Sequence, residues 1–413
     1  MRIAVDIGPL RPPFTGVGNF ELFLLDALLA KDTSLVVQGL ERLSWRTVDR
    51  QYLRGAAARA HKLLEGEAAS LPDLGRPQAP ANARLGAPVP PLRRLWRLVA
   101  PLAPVQWSAR AAQRMRYRRG LRHCRLFHAF NYLPPAQSDI PVIPVVYDLS
   151  FIRYPDAHPP ERLRALEPLG RELAGAAMVQ TISQFSASEI TEVFGIDRSR
   201  IVVTYPGVAP VFRAPAPAPQ ETLRRYGLTG AAYALAVGAL EPRKNLRTVV
   251  AAYSRLPAAE RLRMPLCIVG PPGWGDIALP AQSRALRDEG SLRFLGFVSD
   301  AELRDFYAEA RVLLYPSLYE GFGMPVIEAM AMGTPVVVSA SSSLPEAAGM
   351  LGRLVEPLDV DAWTDELRRA VHVEDASDSE AAIKRRAHAL LFSWQAAAEE
   401  TVRMYGRIAG TAE

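Results

Sequence analysis

The chain has 413 residues, of which 49% are hydrophobic and 22% charged, and its formal net charge is +6. This length predicts about two or three domains with an ample core, and the composition is typical of a soluble globular protein. No apolar stretch reaches the ~20 residues of a membrane span, and the N-terminal MRIAVDIG indicates a strand rather than a signal peptide. Because Cys124 and Cys267 lie too far apart for a disulfide framework or a metal site, we expect a reducing cytoplasm.

Positive charge is concentrated between Leu74 and Ser138, where the sequence has twelve arginines and no acidic residue. These are Arg76, Arg84, Arg93, Arg94, Arg97, Arg110, Arg114, Arg116, Arg118, Arg119, Arg122 and Arg125. We favour a face that docks on anionic phospholipid at the inner side of the cytoplasmic membrane, where each arginine contributes about 1 kcal/mol. A solvated basic insertion is the main alternative. Nucleic acid is not expected as a partner, because the segment lacks the interleaved aromatic side chains that stack on single strands.

The first half begins with the pattern of a doubly wound α/β domain. Residues 2–8 predict a buried strand, and a glycine turn with Gly16 and Gly18 follows it. An apolar-periodic helix is predicted from Asn19 to about Ala30. The turn has no third glycine for a dinucleotide fingerprint, and the sequence has no P-loop.

Later elements of this half alternate in the same way, apart from the poorly patterned residues 45–120, which we expect to be helical with loops. Strands are predicted at 35–40, 126–130, 142–148, 177–181 and 201–205, and helices at 161–174 and 183–194. Two of these strands end in polar groups, where ligands bind in open α/β sheets. The polar groups are His128 and Asn131 in one case and Tyr147 and Asp148 in the other.

The segment 209–220, APVFRAPAPAPQ, predicts a stiff, extended linker. It separates an N-terminal domain, residues 1–208, from a second domain, residues 221–393, in which strands and helices again alternate. Alternation of this kind implies parallel strands with helices on both faces. The sequence therefore predicts two Rossmann-like, doubly wound α/β domains facing a central cleft. We expect a terminal helix, about 394–413, to pack back on the first domain.

Three strand ends of the second domain are followed by distinctive loops, at 238–244, 270–275 and 320–328. In the first of these, Arg243 and Lys244 form a clamp suited to a diphosphate near helix N-termini. Because phosphate repels carboxylates, we expect Glu320 and Glu328 to bind hydroxyl groups at opposite ends of a nucleotide-sugar. Taken alone, residues 315–339 are equally compatible with an ordinary loop, helix and strand of a Rossmann-like layer.

These segments of the second half resemble glycosyltransferase family 4, the retaining GT-B enzymes with two glutamates separated by seven residues. The resemblance lies in VGALEPRKN (237–245), LGFVSDAEL (295–303) and YPSLYEGFGMPVIEAMAMGTPVVVS (315–339). In the first half it extends to GPLRPPFTGVGNFE (8–21), TISQFSASEI (181–190) and YPGV (205–208). It implies a hexosyltransferase that builds bacterial surface polysaccharide. The expected donor is GDP-mannose or a deoxy relative, and the expected acceptor is a polyprenyl-diphosphate-linked saccharide.

The resemblance also implies roles for individual residues. Arg243 and Lys244 would bind the donor diphosphate and stabilise the leaving charge, Glu320 would hold the sugar hydroxyls, and Glu328 would bind the ribose. Gly16 would approach the phosphate when the cleft closes. The other donor-binding candidates are Gly18, Gly238, Phe297, Gly321, Phe322, Gly323 and Met324.

One departure from the family concerns the strand end at 142–148. The family commonly has His-Asp there, whereas this chain has Tyr147 and Asp148. We therefore keep Asp148 as a catalytic candidate and leave the role of Tyr147 open. Tyr147, His128 and Asn131 are candidates for acceptor binding, although a lone histidine at a strand end is more often structural.

No Asp-x-Asp metal cluster stands out, so we expect Arg243 and Lys244 to replace a divalent ion, with no metal or cofactor required. Alternatives are a UDP- or dTDP-sugar donor, a phosphorylase or epimerase of the same fold, and a non-catalytic nucleotide-sugar-binding or nucleic-acid-binding protein. A phosphorylase would need a pyridoxal-binding lysine, for which the sequence offers no candidate.

Overall fold

The structure is a computed structural model that describes residues 1–11, 15–41, 44–68, 115, 117–135, 138–273, 277, 279–372 and 379–410. Its first sheet is formed by β1 (Arg2–Asp6), β2 (Val36–Glu41), β3 (Ser44–Val48), β4 (Phe127–Ala129), β5 (Val142–Val146), β6 (Val179–Thr181) and β7 (Ile201–Val203). The strand order is β3-β2-β1-β4-β5-β6-β7. The predicted strands of this half are confirmed.

The edge strand β3 is the element that the sequence pattern missed. It pairs with β2 in antiparallel fashion, whereas the other pairs of this sheet are parallel. Only two residues separate the two strands, and a parallel crossover needs a dozen or more. The expectation of helix and loop from residue 45 onward is therefore wrong at this edge. The remainder of that stretch, from residue 69 to 114, lies outside the described residues.

The helices of the first half include α1 (Gly16–Lys31), α2 (Arg50–Ala68), α3 (Ser150–Arg153), α4 (Pro160–Leu166), α5 (Leu169–Gly175) and α6 (Gln184–Phe194), and residues 117–121 are also helical. The single helix predicted over 161–174 is two helices, because Pro168 has no N–H and its ring clashes with the preceding turn. Ser183 caps α6, since its hydroxyl accepts the N–H of Ser186 at 3.0 Å.

The second sheet is formed by β8 (Ala234–Val237), β9 (Leu266–Val269), β10 (Leu292–Gly296), β11 (Val312–Tyr315), β12 (Val336–Ser339) and β13 (Arg353–Val355). Its strands are parallel and follow the order β10-β9-β8-β11-β12-β13. The central strands β11 and β12 are buried along their whole length, as expected when helices cover both faces. The strand order reverses between β8 and β11, which is where ligands bind in such sheets.

The helices of the second half are α7 (Pro219–Arg225), α8 (Leu246–Ser254), α9 (Ala258–Arg263), α10 (Ser283–Asp288), α11 (Asp300–Glu309), α12 (Met324–Ala331), α13 (Leu344–Ala348), α14 (Val360–His372), α15 (Glu380–Leu390) and α16 (Trp394–Ala409). A capping box of Ser299 and Glu302 begins α11. Within the described parts of the chain, no helix has the length and apolar character needed to cross a membrane.

Two segments connect the halves. The segment 209–220 is not an extended linker as predicted: Pro210–Arg213 form a 3₁₀ turn, and α7 begins at Pro219. Phe212 is buried and packs against Tyr307 with ring centroids 5.6 Å apart, so this segment is docked on the second half. The chain returns through α16, which packs on α1: Trp394 stacks on Phe23 at 5.4 Å.

Two carboxyl groups are buried together near the carboxyl end of β1. Glu21 is fully buried, and its two carboxylate oxygens have no hydrogen-bond partner among the described residues. The Asp6 carboxylate accepts the N–H of Phe130 at 2.6 Å. Burial raises the pKa of both carboxyl groups, and the neighbouring charge of Asp6 raises that of Glu21 further. Ionisation of this pair therefore opposes folding.

We expect Glu21→Gln to stabilise the protein at pH 8 and to have little effect near pH 4. The pKa of Glu21 is higher in the folded protein than in the unfolded chain. Its ionisation therefore lowers the free energy of unfolding by about 1.4 kcal/mol per pH unit as pH rises from the unfolded-state pKa to the folded-state pKa. Near pH 4 the group is largely protonated in both the folded and unfolded chain. Thermal unfolding at both pH values measures this, with the exposed Glu167→Gln as control. Equal gains at both pH values would contradict the assignment.

Candidate active site

The loop after β8 brings Arg243 and Lys244 to the reversal point of the second sheet. Both residues lie in a 3₁₀ turn, Pro242–Lys244. Asn245 follows in the left-handed region, with φ of 53°, a conformation that asparagine tolerates better than most residues. Its side-chain amide donates to the carbonyl of Pro316 at 3.0 Å and to that of Pro357 at 2.7 Å. The loop after β8 is thereby tied to the loop after β11.

Glu320, in the loop after β11, lies directly against both cations. Its carboxylate accepts from Lys244 Nζ at 2.6 Å and from Arg243 Nη1 at 3.0 Å. Tyr315, the last residue of β11, joins the cluster: its hydroxyl donates to Glu320 at 3.1 Å and accepts from Lys244 at 2.9 Å. The three charged side chains are each no more than 15% exposed. We refer to Arg243, Lys244, Glu320 and Tyr315 as the clamp cluster.

The electrostatics of the clamp cluster favour the charged form of Glu320. Burial alone would raise the pKa of Glu320, but Lys244 and Arg243 outweigh it and hold that pKa at about 2. Burial lowers the pKa of Lys244, partly offset by Glu320. The pKa of Arg243 is raised, because Glu320 and Asp148 outweigh burial. Two carboxylates, those of Glu320 and Glu241, lie within 4 Å of the cations, so an incoming anion would compete with them for Arg243 and Lys244.

The contact of Glu320 with the two cations adds an interaction that the sequence did not predict. Phosphate repels carboxylates, yet Glu320 is in direct contact with both phosphate-binding cations. The physical reason is that two adjacent buried cations need a counter-charge, since an unpaired buried charge costs about 3–5 kcal/mol. A sugar hydroxyl therefore remains a predicted partner of Glu320, and it would have to be bound beside the phosphates.

The turn after Glu320 is packed against the first half. A Cβ atom on Gly321 would lie 2.3 Å from the carbonyl oxygen of Tyr147, so only glycine fits there. Gly323 has φ of 108° and leads into α12 at Met324. The Phe322 side chain is buried away from the turn, so its backbone N–H is what it could offer to a ligand.

Glu328 lies on α12. Its carboxylate accepts from the hydroxyl of Tyr307 at 3.2 Å. Burial and the charge of Asp300 raise its pKa to about 8. Phe297, which follows β10 in the loop that leads to Asp300, is half-buried. Glu328 and Phe297 therefore lie towards the α11 side of the site, and their donor-binding roles stay predictions.

Three first-half candidates keep positions that allow ligand contact. Asp148 is half-buried and accepts from the N–H and hydroxyl of Ser150 at 3.0 and 2.7 Å. Its charge contributes to the raised pKa of Arg243, which places it across from the clamp cluster. Gly16 is exposed at the start of α1, with no atom within 4 Å of a Cβ built on it, and Asn131 is also exposed. Of the other glycine candidates, Gly18 is buried in the first turn of α1, and Gly238 directly follows β8 with φ of 145°.

Two acceptor-binding predictions are contradicted. His128 is fully buried: its Nδ1 is 2.7 Å from the Tyr405 hydroxyl of α16, and its ring stacks on Phe130. Burial lowers the pKa of His128 to about 3. Tyr147 is also buried, among Phe20 and Tyr132, with its hydroxyl lacking a partner among the described residues. Both side chains are interior groups of the first half, so neither can contact an acceptor in this conformation.

Sequence reasoning missed several residues of the site. Tyr315 could have been found, because it is the first residue of the motif at 315–339. Asn245 and Ser342, whose hydroxyl accepts the N–H of Glu320 at 2.9 Å, act through contacts between distant loops. Tyr319 is of the same kind, whereas Glu241 lies 3.6 Å from Arg243 within the loop after β8 itself. No spacing in the sequence signals such contacts.

Comparison with known proteins now identifies the family. The sequence profile of Glycosyl transferases group 1 matches residues 221–389. O-antigen chain mannosyltransferase B from Escherichia coli is 37% identical over 282 residues, covering 68% of this chain and 74% of that protein. The chain belongs to the group 1 glycosyltransferases.

Solved structures establish the GT-B fold. Sucrose-phosphate synthase from Thermosynechococcus elongatus superposes with a TM-score of 0.65 at 19% identity, covering 100% of both chains. HepE from Anabaena, solved with UDP and glucose, has a TM-score of 0.62 at 16% identity and covers 98% of this chain and 100% of its own. The protein is therefore a glycosyltransferase with two Rossmann-like domains, as the resemblance implied.

We expect Lys244→Met to reduce sugar transfer by about 100-fold or more, because loss of one electrostatic donor to a developing charge typically costs 2.7–4 kcal/mol. The substitution removes one cation and leaves Glu320 paired with Arg243, so the fold should persist. Turnover with a labelled donor measures the effect, and circular dichroism checks the fold. Lys384→Met, at an exposed lysine of α15, is the matched control. Full turnover by Lys244→Met would refute the clamp.

Proposed function

We propose that this glycosyltransferase is a retaining family 4 hexosyltransferase that moves mannose, or a deoxy-manno sugar, from a nucleotide-diphosphate-sugar to a growing lipid-linked surface polysaccharide. The observation that most supports it is the buried clamp cluster at the reversal point of the second sheet. The mannosyl donor, with GDP favoured, and the polysaccharide acceptor are inferred from the 37% identity to O-antigen chain mannosyltransferase B.

The clamp cluster suits departure of a diphosphate. The bond between the anomeric carbon and the phosphate oxygen breaks, and its electron pair stays on the diphosphate, where Arg243 and Lys244 stabilise the charge. An acceptor hydroxyl attacks the anomeric carbon from the same face, and its proton passes to the departing phosphate oxygen. Retention follows from attack on that face.

Glu320 is unsuited to nucleophilic attack in this proposal, because two cations hold its carboxylate at 2.6 and 3.0 Å. A donor diphosphate would compete for Arg243 and Lys244 and free one carboxylate oxygen for a sugar hydroxyl. The ribose contact of Glu328 belongs to the same proposal. No metal or cofactor is included in it, since the cations of the clamp cluster would supply the charge of a divalent ion.

A panel of nucleotide-sugars tested by thermal shift identifies the donor. We expect GDP-mannose to stabilise the protein by about 2.7 kcal/mol at one hundred times its dissociation constant, because it binds only the folded state. Transfer from each stabilising donor to a polyprenyl-diphosphate-linked saccharide is then measured. Stabilisation by UDP- or dTDP-sugars alone would overturn the GDP assignment. Binding without transfer would favour a non-catalytic protein, and dependence on free phosphate would indicate a phosphorylase.

A peripheral position on an anionic membrane is the second part of the proposal. Of the arginines at 76–125, Arg118, Arg119, Arg122 and Arg125 are described, and they are exposed. Arg118 pairs with Asp139 at 3.1 Å on the surface. The other eight lie outside the described residues, as do Trp96 and Trp107. Membrane binding is therefore supported by the twelve arginines at 76–125 in the sequence and by the exposure of these four in the structure.

We expect binding to vesicles with anionic lipid and not to zwitterionic vesicles, with loss at high salt because ions screen exposed charges. Vesicle sedimentation at about 0.05 and 0.5 M salt measures this. Replacing Arg119, Arg122 and Arg125 together by Gln should weaken binding, since each contributes about 1 kcal/mol. The same exchange at the exposed Arg164, Arg247 and Arg263 is the control. Binding that ignores salt would contradict the proposal.

A further inference from the structure

Contacts between the two domains are concentrated next to the clamp cluster, around α6 of the first domain. Tyr319, the residue before Glu320, is buried and spans this junction. Its hydroxyl donates to the carboxylate of Glu189 on α6 and accepts the N–H of Leu149 at 3.0 Å. Its own carbonyl oxygen accepts from Arg243. One residue of the second domain thus links a clamp cation to the first domain.

Glu189, which accepts the hydrogen bond from Tyr319, is itself fixed by a contact within the first domain. Glu189 is buried, and its other carboxylate oxygen accepts from Arg153 Nε at 2.6 Å. Leu149 directly follows Asp148, the catalytic candidate at the end of β5. Any shift of Tyr319 relative to Glu189 therefore also shifts the distance between Asp148 and the clamp cluster.

A second contact joins α6 to the second domain. The carboxylate of Glu346, on α13, accepts the N–H groups of Gln184 at 2.8 Å and Phe185 at 3.3 Å. These are first-turn N–H groups of α6, which have no partner within the helix and lie at its positive end. The same carboxylate accepts from the hydroxyl of Tyr205. The two domains are thus joined at the start of α6 and again at its second turn.

The hydroxyl of Ser186 lies between these two contacts. It is 3.3 Å from the carbonyl oxygen of Tyr147 and 3.4 Å from that of Gly321. Gly321 is the residue after Glu320, and its backbone touches the end of β5. The segment 319–321 is consequently fixed to the first domain on both sides of Glu320.

We propose that Tyr319 is a positioning residue for sugar transfer, whose hydroxyl docks the Glu320 loop on α6 and so couples closure of the two domains to alignment of the clamp cluster. Its kinetic consequence rests on the proposed function, whereas its conformational consequence does not. When the domains separate, the donor-binding residues of the second domain remain available to the donor. Loss of docking should therefore lower kcat more than it changes KM for the donor.

The test substitution is Tyr319→Phe, which removes one hydroxyl and keeps the ring packed against Tyr154 and Phe185. Tyr226→Phe is the matched control, because Tyr226 also donates to a glutamate, Glu302 at 3.2 Å, but within the second domain. Glu346→Gln is the second variant, since it weakens the other α6 contact and keeps the shape of the side chain. It decides the question if Tyr319→Phe fails to fold.

Domain separation is measured on the unliganded full-length protein by pulsed electron spin resonance. Spin labels are attached at Glu161→Cys in the first domain and Arg247→Cys in the second, both exposed positions, and the native cysteines are buried. We expect one narrow distance distribution for the parent protein and the Tyr226→Phe control. Tyr319→Phe and Glu346→Gln should add a population at longer distance. An unchanged distribution in both variants would overturn the proposal.

Kinetics supply the second readout, with the nucleotide-sugar that gives transfer in the thermal-shift panel. We expect Tyr319→Phe to lower kcat by about 10-fold and to change KM for the donor less than about 2-fold. An unchanged kcat, or a loss confined to KM, would contradict a positioning role. If the parent protein transfers no sugar, the proposed function fails, and the distance measurement still decides whether Tyr319 docks the domains.

Discussion

The structure of the site depends on one constraint, the burial of two cations and one carboxylate in direct contact. Arg243 and Lys244 come from the loop after β8, and Glu320 from the loop after β11. None of the three could remain buried and charged alone, because an unpaired ion in the interior is strongly destabilising. The loop after β8 and the loop after β11 can therefore be buried only together, because each supplies the counter-charge of the other. A buried ion pair is seldom the most stable choice for a core, so its presence at a sheet edge is better explained by what it can bind.

The same constraint connects the site to the rest of the molecule. Glu320 is flanked by Tyr319 and Gly321, and both touch the first domain, through α6 and through the end of β5 respectively. The clamp cluster lies within the second domain, but the segment that carries Glu320 is held in position by the first domain. A site of this kind can be complete in its charges and still depend on the angle between the domains for its geometry.

Much of the fold and part of the site could be predicted from the sequence. Alternating apolar strands and helices defined two doubly wound domains, because a parallel strand buried on both faces leaves a continuous apolar run. Arg243, Lys244 and Glu320 stood out because they follow strand ends, which meet at one edge. The prediction for His128 failed because His128 lies within β4 rather than after it, and because α16, from the far end of the chain, covers it.

The sequence by itself determined the alternation of strands and helices, the parallel arrangement of the strands other than β3, and Arg243, Lys244 and Glu320 as site residues, since periodicity and strand-end position are local properties. Only the tertiary structure decided which charges touch. It placed Glu320 in direct contact with the cations, buried Tyr147 and His128, and joined the domains through Tyr319. Those outcomes depend on distances between loops that are far apart in the chain. Packing of the whole molecule sets such distances, and no local pattern encodes them.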